Sequence, residues 1–444
     1  MNVKKPMTTQ EFKLMSQSNS WMRIGKLAKN KELVINNLFQ HFNVENLREA
    51  YHAIDGSKAV GIDRITKDQY GIELDVKLQD LVNRLHIGIY RPQEKRGVEI
   101  PKANGKTRLI AVGTFEDKLV EWVLNRILTE VYEPLFIETS YGFRPNRNAH
   151  QAVKTTFLSL FKKRRSHVVD IDIKSFFDTV SHRKMIKMLQ KRINDRKLLS
   201  LTSRLLEVGV LTNGITTERQ MGTPQGGIVS PTLSNIYLHN VLDVWFLENY
   251  AKAGGVIARY ADDVVFTFKS EGEAKRFVTE VKARFAHYNL EINEDKSKQL
   301  NFTPRSGNIF HFTGFTFYWG KDRGSRTRRL KVKTQKERLV KSIAEINLWL
   351  KLNRNRFSLQ YIWDQITMKL RGHYNYFGVS SNRPKLTHYY YAVIGLLFKW
   401  LNRRSQKISF TSVKFKRRLL HHPLPFPPQM KSLKHLIDRR GFYV

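Results

Sequence analysis

Hydrophobic and polar positions repeat with two different periods over most of the chain. Residues 116–131 place apolar side chains every three to four positions, as one face of a helix does. Residues 168–173, with the sequence VVDIDI, form a short apolar run that predicts a buried strand. Residues 256–268 join two apolar runs around two acidic residues, which predicts a hairpin. Helical and strand patterns alternate up to residue 320, so we expect an α+β core.

The same rules predict further elements on either side of residue 320. Ser230 followed by Pro231 indicates the start of a helix that continues to Trp245. Alternating aromatic residues over positions 310–319 predict a second hairpin. Helical periodicity marks three more segments, which are residues 271–288, 335–350 and 359–374. A proline-rich stretch, residues 423–428, predicts irregular structure near the end of the chain.

The charge of the chain indicates a polyanionic partner. Its 444 residues, enough for about three domains or subdomains, include 77 Lys and Arg against 39 Asp and Glu, a net charge of +38. Residues 320–444 alone hold 29 basic and 5 acidic residues, so +24 lies in this region. A compact chain with this charge repels itself unless a polyanion neutralises it. Nucleic acid is the favoured partner, and an anionic membrane surface is the weaker alternative.

The residue types that are missing exclude several classes of protein. The sequence has no cysteine, which excludes disulfides, cysteine-ligated zinc, iron–sulfur clusters and a cysteine nucleophile. The first residues, MNVKKPMTTQEFK, lack the apolar core of a signal peptide. The longest strongly apolar run, residues 389–398, is about half of what a bilayer crossing needs. We therefore expect a cytoplasmic protein, associated with nucleoid or ribonucleoprotein, without membrane or zinc.

Four acidic residues are candidates for metal chemistry. Asp170 and Asp172 are two positions apart in a predicted strand, so their side chains share one face. Asp262 and Asp263 lie between the two strands of the predicted hairpin. Carboxylates on neighbouring strands repel one another, and two Mg²⁺ ions would cancel that repulsion and support phosphoryl transfer. The alternative is a set of turn acids that face water, which the apolar flanks and the net charge disfavour.

Several segments resemble the sequence boxes of reverse transcriptases. Residues 260–263, YADD, resemble the YxDD box of that family. Residues 222–231, GTPQGGIVSP, resemble the loop before that box, and Asn235 follows this loop as in the family. Residues 170–178, DIDIKSFFD, resemble the first catalytic strand. Four further boxes occur in the family order, at residues 100–108, 140–145, 294–296 and 312–315.

The version of these boxes resembles that of group II intron-encoded reverse transcriptases. Residues 370–378, LRGHYNYFG, are similar to the maturase (thumb) segment, and the resemblance covers roughly residues 20–430. Residues 108–113, RLIAVG, depart from the family's usual RPLGIP. No segment resembles the zinc-containing endonuclease that ends many members, so an endonuclease-lacking form is expected.

The resemblance implies a role for individual residues around the chemistry. Asp172, Asp262, Asp263 and the backbone carbonyl of Ile173 would hold two Mg²⁺ ions, with Mn²⁺ as a substitute. Lys296 would protonate the departing pyrophosphate, or else lie on the surface. The residues expected to bind the incoming dNTP are Lys102, Arg108, Phe177, Gln225 and Gly226. Among them Phe177 is the expected steric gate against a 2′-OH, with a packing role as the alternative.

Other residues are expected to contact template or other nucleic acid. They are Arg144, Pro224, Arg328, Arg329, Arg403, Arg404 and Lys407. For Arg144 the alternative is that it braces the fingers. Which basic clusters contact RNA and which contact DNA is left open.

The fold implied is a right-hand polymerase. Residues 1–85 would form an N-terminal extension and the start of the fingers, and residues 86–320 the fingers and palm. Residues 321–400 would form a helical thumb or maturase domain, and residues 401–444 a basic tail similar to a DNA-binding segment.

The function implied is RNA-directed DNA synthesis from a primer 3′-OH, together with binding of an intron RNA to assist splicing and mobility. The expected partners are intron RNA, RNA template, DNA primer or target, and dNTPs. One alternative is a splicing maturase whose polymerase site has decayed, but all three of Asp172, Asp262 and Asp263 are present. Another is a host reverse transcriptase of defence or repair, which the maturase-like segment disfavours.

Overall fold

The computed structural model describes residues 21–101, 107–161, 165–321, 324, 326–404 and 410–428. In these residues the α-helices are α1 (21–28), α2 (Val44–Ala53), α3 (Lys67–Tyr70), α4 (Leu74–Ile87), α5 (Phe115–Tyr132), α6 (Ala149–Phe161), α7 (Phe176–Thr179), α8 (His182–Gln190), α9 (Arg196–Glu207), α10 (Ser230–Leu238), α11 (Val244–Phe246), α12 (Glu271–His287), α13 (Lys336–Asn353), α14 (Leu359–Phe377), α15 (Arg383–Leu401) and α16 (Ser412–His421). The strands are β1 (Lys95–Pro101), β2 (Thr107–Val112), β3 (His167–Asp172), β4 (Val210–Thr212), β5 (Ile215–Thr217), β6 (Val256–Tyr260), β7 (Asp263–Phe268), β8 (Lys298–Asn301), β9 (Phe310–Phe312), β10 (Phe315–Lys321) and β11 (Arg328–Thr334).

The elements predicted from periodicity are confirmed, with their ends set by capping side chains. Helix α5 covers the predicted residues 116–131 with one more residue at each end, and the Thr114 side chain accepts the Asp117 amide at its start. Helix α12 begins with a capping box between Ser270 and Glu273. The proline-rich residues 423–428 have no regular structure, as expected.

The helix predicted to start at Ser230 is longer than expected. Helices α10 and α11 are joined by a π-helical segment, His239–Asp243, and a second π-helical segment, Leu247–Ala251, extends them. A π-helical turn holds one more residue than an α-helical turn and is often found at functional sites. Local periodicity over residues 230–245 predicts a helix, but it does not predict the π-helical segments.

A four-stranded sheet with the order β2-β1-β4-β5 forms the fingers. Strands β1 and β2 are an antiparallel hairpin in which Ile100 pairs with Arg108. Residues 102–106, which connect the two strands in sequence, lie outside the described residues. The hairpin therefore carries Arg108 near the end of a two-stranded arm.

The palm is a four-stranded sheet with the order β6-β7-β3-β8, in which all neighbours are antiparallel. Side chains alternate between its two faces. Val169 and Ile171 of β3 belong to one hydrophobic core with the helices of the fingers and palm. Val168 of β3 and Val265 of β7 belong to a second core with the thumb helices. One face of the palm sheet thus packs against the helices of the fingers and palm, and the other face packs toward the thumb helices.

A three-stranded sheet with the order β11-β10-β9 lies between the palm and the helices α13–α15. In it Phe315 of β10 pairs with Phe312 of β9 and Thr334 of β11, so the aromatic hairpin is confirmed and gains a third strand. This three-stranded sheet crosses the domain boundary predicted between residues 320 and 321. The helical part of the C-terminal region begins with α13. None of the helices in the described ranges is long and apolar enough to cross a membrane.

Candidate active site

Three carboxylates meet where β3 ends and β6 turns into β7. Asp172 and Asp263 are directly opposite each other in the β3–β7 ladder, and Asp262 lies in the turn that precedes β7. Asp170 lies two residues before Asp172, opposite Val265, and so shares its face. Strand pairing therefore places Asp170, Asp172 and Asp263 on one face of the sheet, and the adjoining turn adds Asp262, the fourth acid that the sequence singled out.

The surroundings of these carboxylates favour their protonated forms. Burial, reinforced by the negative charge of Asp263, raises the pKa of Asp170 to about 8. Burial, reinforced by Asp262 and Asp172, raises the pKa of Asp263 to about 7. The pKa of Asp262 is also raised, mainly by burial and further by Asp172. Carboxylates that destabilise one another in this way are stabilised by a cation placed between them.

Two neighbouring groups contact the carboxylates, the Thr313 amide and the Lys296 ammonium. The Thr313 amide donates a hydrogen bond of 2.9 Å to Asp263 Oδ2, and the Tyr376 hydroxyl of α14 donates one of 2.9 Å to the Thr313 carbonyl. Lys296 Nζ lies 3.3 Å from Asp172 Oδ2. Lys296 is thus beside the carboxylates, as expected for a proton donor, although its side chain is mostly exposed.

The donor set fits a divalent cation. The Asp172 carbonyl accepts the Asn293 amide at 2.8 Å. Since successive carbonyls of a strand point in opposite directions, the Ile173 carbonyl is directed away from Asn293. Carboxylate and carbonyl oxygens are the ligands that Mg²⁺ prefers. In the described part of the chain no three acidic or histidine side chains already surround one point as metal ligands; Lys296 and the Thr313 amide engage two of the carboxylates instead.

The carboxylates line a cleft of about 480 Å³ between the palm and the thumb. Thumb residues Gln335 and Arg338 line it together with Asp295 and Lys298. Sequence analysis did not assign these residues to the site. Gln335 and Arg338 lie in the basic region, some 70 residues after the YADD turn, and only the packing of α13 against the palm brings them to the cleft.

Of the two cations expected at the incoming triphosphate, the structure describes Arg108, which lies on the fingers hairpin. Arg108 is exposed on β2, and its positive charge acts on Asp262 by lowering the pKa of that carboxyl. The structure therefore brings Arg108 and the acidic site together across the cleft. Lys102 lies outside the described residues.

The glycine-rich loop lies between the fingers hairpin and Phe177, the residue predicted to be the steric gate. The Ala111 amide of β2 donates to the Gln225 carbonyl at 2.7 Å, and the Thr223 amide donates to the Phe177 carbonyl at 2.6 Å. Gly226 has φ +109°, and a Cβ there would lie 2.8 Å from the Ile110 side chain. Glycine is needed at this position because it alone combines this conformation with this close approach.

The ring of Phe177 is half-buried and contacts Phe176 edge-on, with ring centroids 5.4 Å apart. The ring also packs against the hydrophobic core of the fingers and palm. Pro224 is buried, and its carbonyl accepts the Ser230 hydroxyl at 2.8 Å. The Pro224 side chain is therefore not exposed in this structure, and the template contact expected for Pro224 stays a prediction.

A buried ion pair under the loop was missed by sequence analysis. Lys95 and Glu121 form a salt bridge with side chains 1% and 2% exposed. Glu121 Oε2 also accepts the Ile228 amide at 2.5 Å. Glu121 lies in α5 on the same side as the buried Leu124 and Leu128, and its carboxylate ties the loop to this helix.

Arg144 is a brace and not a template contact. Its guanidinium donates to Glu133 at 2.8 Å and to the carbonyls of Ile137 and Ser140 at 2.7 and 2.5 Å. The side chain is 3% exposed. Of the two roles considered for Arg144, the structure supports bracing, because the guanidinium is buried and donates to partners within the protein.

Of the remaining residues predicted to contact nucleic acid, those that the structure describes do not line the cleft at the carboxylates. Arg328 and Arg329 are exposed on β11, an edge strand. Arg403 is exposed with its guanidinium over the Trp400 ring at 5.4 Å. Arg404 donates to the Phe357 carbonyl at 3.1 Å, and Lys407 lies outside the described residues.

Comparison with known proteins agrees with this geometry. Residues 100–317 match the family model described as reverse transcriptase (RNA-dependent DNA polymerase). Protein YkfC of Escherichia coli is 31% identical over 292 residues, which are 58% of this chain and 76% of that protein. The group II intron-encoded protein LtrA of Lactococcus lactis is 34% identical over 231 residues, 51% of this chain and 38% of that protein.

A further relative is the putative COX1/OXI3 intron 1 protein of Saccharomyces cerevisiae, 33% identical over 226 residues, 50% of this chain and 26% of that protein. The match thus spans most of YkfC but well under half of the intron-encoded relatives.

Proposed function

This chain belongs to the reverse transcriptase family of RNA-directed DNA polymerases, in the group that includes group II intron-encoded proteins, and on that premise we propose how it works. It extends the 3′-OH of a DNA primer on an RNA template with dNTPs, and it binds an intron RNA to assist splicing and mobility. The observation that supports the polymerase reaction most directly is the meeting of Asp172, Asp262 and Asp263 at one end of the palm sheet, facing the fingers.

Reverse transcriptases use divalent metal ions. Here Asp172, Asp262 and Asp263, with the Ile173 carbonyl, would hold two Mg²⁺ ions, which stabilise the attacking and leaving oxygens of an in-line displacement when bound. Because their pKa values are raised, Asp262 and Asp263 bind protons in competition with cations, and the affinity of the site should rise with pH through about 7.

The other residues of the site orient the substrate. Arg108 meets the triphosphate from the fingers, where a guanidinium can bind two phosphate oxygens at once. The loop around Gln225 and Gly226 presents backbone to the nascent base pair. Phe177 excludes a 2′-OH by its ring, and Lys296 is placed to protonate the departing pyrophosphate.

The intron-binding part of the proposal rests on the basic C-terminal region and on the relatives. Residues 320–444 carry 29 basic and 5 acidic residues, a density that phosphate contacts explain. LtrA is described as a group II intron-encoded protein. The all-aspartate site disfavours a maturase without polymerase activity.

The test is extension of a labelled DNA primer annealed to an RNA template, with dNTPs and Mg²⁺. We expect extension that a chelator abolishes, and shorter or no products with ribonucleotides. A chain that binds the duplex but extends no primer at any Mg²⁺ or Mn²⁺ concentration contradicts the proposal. Splicing of an intron RNA with and without the protein tests the second activity separately.

A further inference from the structure

Arg259, in β6, forms a completely buried ion pair with Asp243. Both side chains are 0% exposed. The two hydrogen bonds run from Nε to Oδ1 at 2.8 Å and from Nη2 to Oδ2 at 2.5 Å. Removing two charges from water costs several kcal/mol, and their attraction often only offsets that cost. Stability is therefore a weak explanation for this pair, and its geometry is the stronger one.

The third nitrogen of the guanidinium reaches the turn that carries Asp262. Arg259 Nη1 donates to the Ala261 carbonyl at 3.0 Å and to Asn235 Oδ1 at 2.8 Å. Ala261 has φ +59°, a left-handed conformation that costs a residue with a Cβ about 1 kcal/mol or more. Such a conformation persists only where the surroundings fix it, and here Arg259 fixes the residue immediately before Asp262.

A second segment closes over the same turn. Asn235 Nδ2 donates to the Gly142 carbonyl at 2.7 Å, so the Asn235 amide bridges this segment and Arg259. A Cβ on Gly142 would lie 2.2 Å from the Ala261 nitrogen and 2.9 Å from its Cα. These contacts are with backbone, which cannot rotate away as a long side chain can. The Gly142 segment and the turn are thus in contact without room for one methyl group.

We propose that Asp243, Arg259, Asn235 and Gly142 form a positioning device that holds the Ala261 turn and so directs the Asp262 carboxylate into the cleft. The four residues touch neither substrate nor cation in this role; they act through the backbone of the turn. The π-helical segment that ends at Asp243 belongs to the device, because it sets where the carboxylate meets the guanidinium. The inference rests on the proposed function, in which Asp262 holds a metal ion.

Two substitutions disturb the device while keeping Arg259 and Asp243 in place and without opening a cavity. Gly142→Ala forces the turn to move, and Asn235→Asp keeps the acceptor for Arg259 but removes the donor to the Gly142 carbonyl. For each variant we expect weaker Mn²⁺ binding, measured by electron paramagnetic resonance without dNTP. We also expect kcat of primer extension to fall by roughly ten- to a hundredfold, as for a displacement of about 1 Å, with little change in KM for the primer–template.

Gly272→Ala is the matched control, since Gly272 is an exposed helical residue with nothing within 4 Å of the added Cβ. It should behave as wild type in both measurements. The device is refuted if both variants bind Mn²⁺ and turn over like wild type. It is equally refuted if the melting temperature and the active fraction fall while Mn²⁺ affinity stays unchanged, which is the result of a merely structural role.

The two proposals fail in different ways. A wild-type protein that extends no primer on RNA contradicts the proposed function alone, because the Mn²⁺ measurement still tests whether the turn directs Asp262. Normal extension by wild type together with unaffected variants contradicts the device alone.

Discussion

Asp262 and Asp263 are neighbours in sequence but have different surroundings. The Thr313 amide donates a hydrogen bond to Asp263. Asp262 lies in the turn, where the positive charges of Arg108 and Arg259 lower the pKa of its carboxyl and so oppose the effect of burial. Asp262→Asn keeps the size of the side chain and removes its charge. We expect primer extension to fall below about one-hundredth of wild type, because a metal site supplies several kcal/mol of transition-state stabilisation.

RNA affinity of this variant should stay unchanged, since phosphate contacts are not altered. Asp364→Asn, which neutralises an exposed thumb carboxylate, is the control for loss of one negative charge. Extension by Asp262→Asn at more than a few per cent of wild type, measured on an RNA template, would overturn the metal-site assignment.

A substitution at Phe177 tests the shape of the site and not its charge. Its ring is half-buried, so Phe177→Ala opens space where a 2′-OH would lie. We expect the ratio of kcat/KM for a dNTP to that for the matching ribonucleotide to fall by roughly ten- to a hundredfold. The measurement is competition between the two nucleotides on one template. An unchanged ratio would make Phe177 a packing residue.

At the scale of elements, the Lys95–Glu121 pair joins strand β1, helix α5 and the glycine-rich loop. Glu121→Gln keeps an acceptor for the Ile228 amide but leaves the Lys95 ammonium buried without a counter-charge. We expect a loss of about 3–5 kcal/mol in the free energy of unfolding, as for other broken buried pairs, measured by urea denaturation.

The double variant Lys95→Met with Glu121→Leu separates stability from loop position. Apolar replacement of a buried pair is often neutral, so most of the stability should return. KM for dNTP should rise, however, because a leucine side chain in place of Glu121 offers no acceptor for the Ile228 amide and the loop loses its tie to α5. Recovery of stability together with a wild-type KM for dNTP in the double variant would show that the loop needs no such tie.

Helices α14 and α15 meet at a buried histidine that makes this contact sensitive to pH. His373 stacks on Tyr389 with ring centroids 3.7 Å apart, and burial lowers the pKa of His373 to about 4. The unfolded chain, with the ordinary pKa of about 6.5, binds the proton more tightly. Stability is therefore lost as pH falls from about 6.5 toward 4.

His373→Phe keeps a ring on Tyr389 and removes the titration. Relative to wild type, its free energy of unfolding should improve by about 2 kcal/mol more at pH 5 than at pH 7.5. Comparing the two proteins cancels the titration of the buried aspartates, which they share. A difference that does not change with pH would mean that His373 titrates alike in both states.

The elements were predictable because they depend on local periodicity, and the tertiary partners were not. VVDIDI in β3 indicated both the strand and the shared face of Asp170 and Asp172, since alternation is a local property. The partner of Glu121 is 26 residues away in β1, and Arg338 reaches the cleft only through packing of the thumb. No sequence period carries such information.

Two of the site residues are buried for the same physical reason. Arg144 and Pro224 stand in family boxes, and a contact with template was expected for Pro224 and, as one of two possible roles, for Arg144. A box places a residue near the site but does not say which way its side chain points. The guanidinium of Arg144 faces inward because Glu133 and two carbonyls satisfy it there, and Pro224 is buried within its own loop.

At the scale of the whole molecule, charge and chemistry lie in different parts of the chain. Residues 320–444 carry +24 of the +38 and contain none of the proposed metal ligands. Arg403 and Arg404 lie at the end of α15, beyond the thumb helices that line the cleft. Their charges can therefore hold nucleic acid without taking part in the reaction, and this separation predicts different effects on binding and on chemistry.

Replacing Arg403, Arg404 and Lys407 together by Gln should weaken binding to intron RNA or target DNA. The log–log slope of affinity against salt should flatten by about 0.7 to 0.9 for each phosphate group that the variant no longer neutralises. Extension at saturating primer–template should change little, whereas splicing assistance should fall more. A control with the same loss of charge replaces Lys275, Arg276 and Lys282 by Gln.

The control cations already have acidic partners, which are Glu271, Glu280 and Glu294. Because these pairs are satisfied within the protein, neutralising them should leave the salt slope near that of wild type. The measurement is nucleic-acid affinity across a salt series for wild type and the two triple variants. Equal slopes for both triple variants and wild type would mean that the charge of Arg403, Arg404 and Lys407 serves solubility and that nucleic acid is held elsewhere. A control that flattens the slope as much as the test variant would mean that only net charge matters and that no particular cluster binds the phosphates.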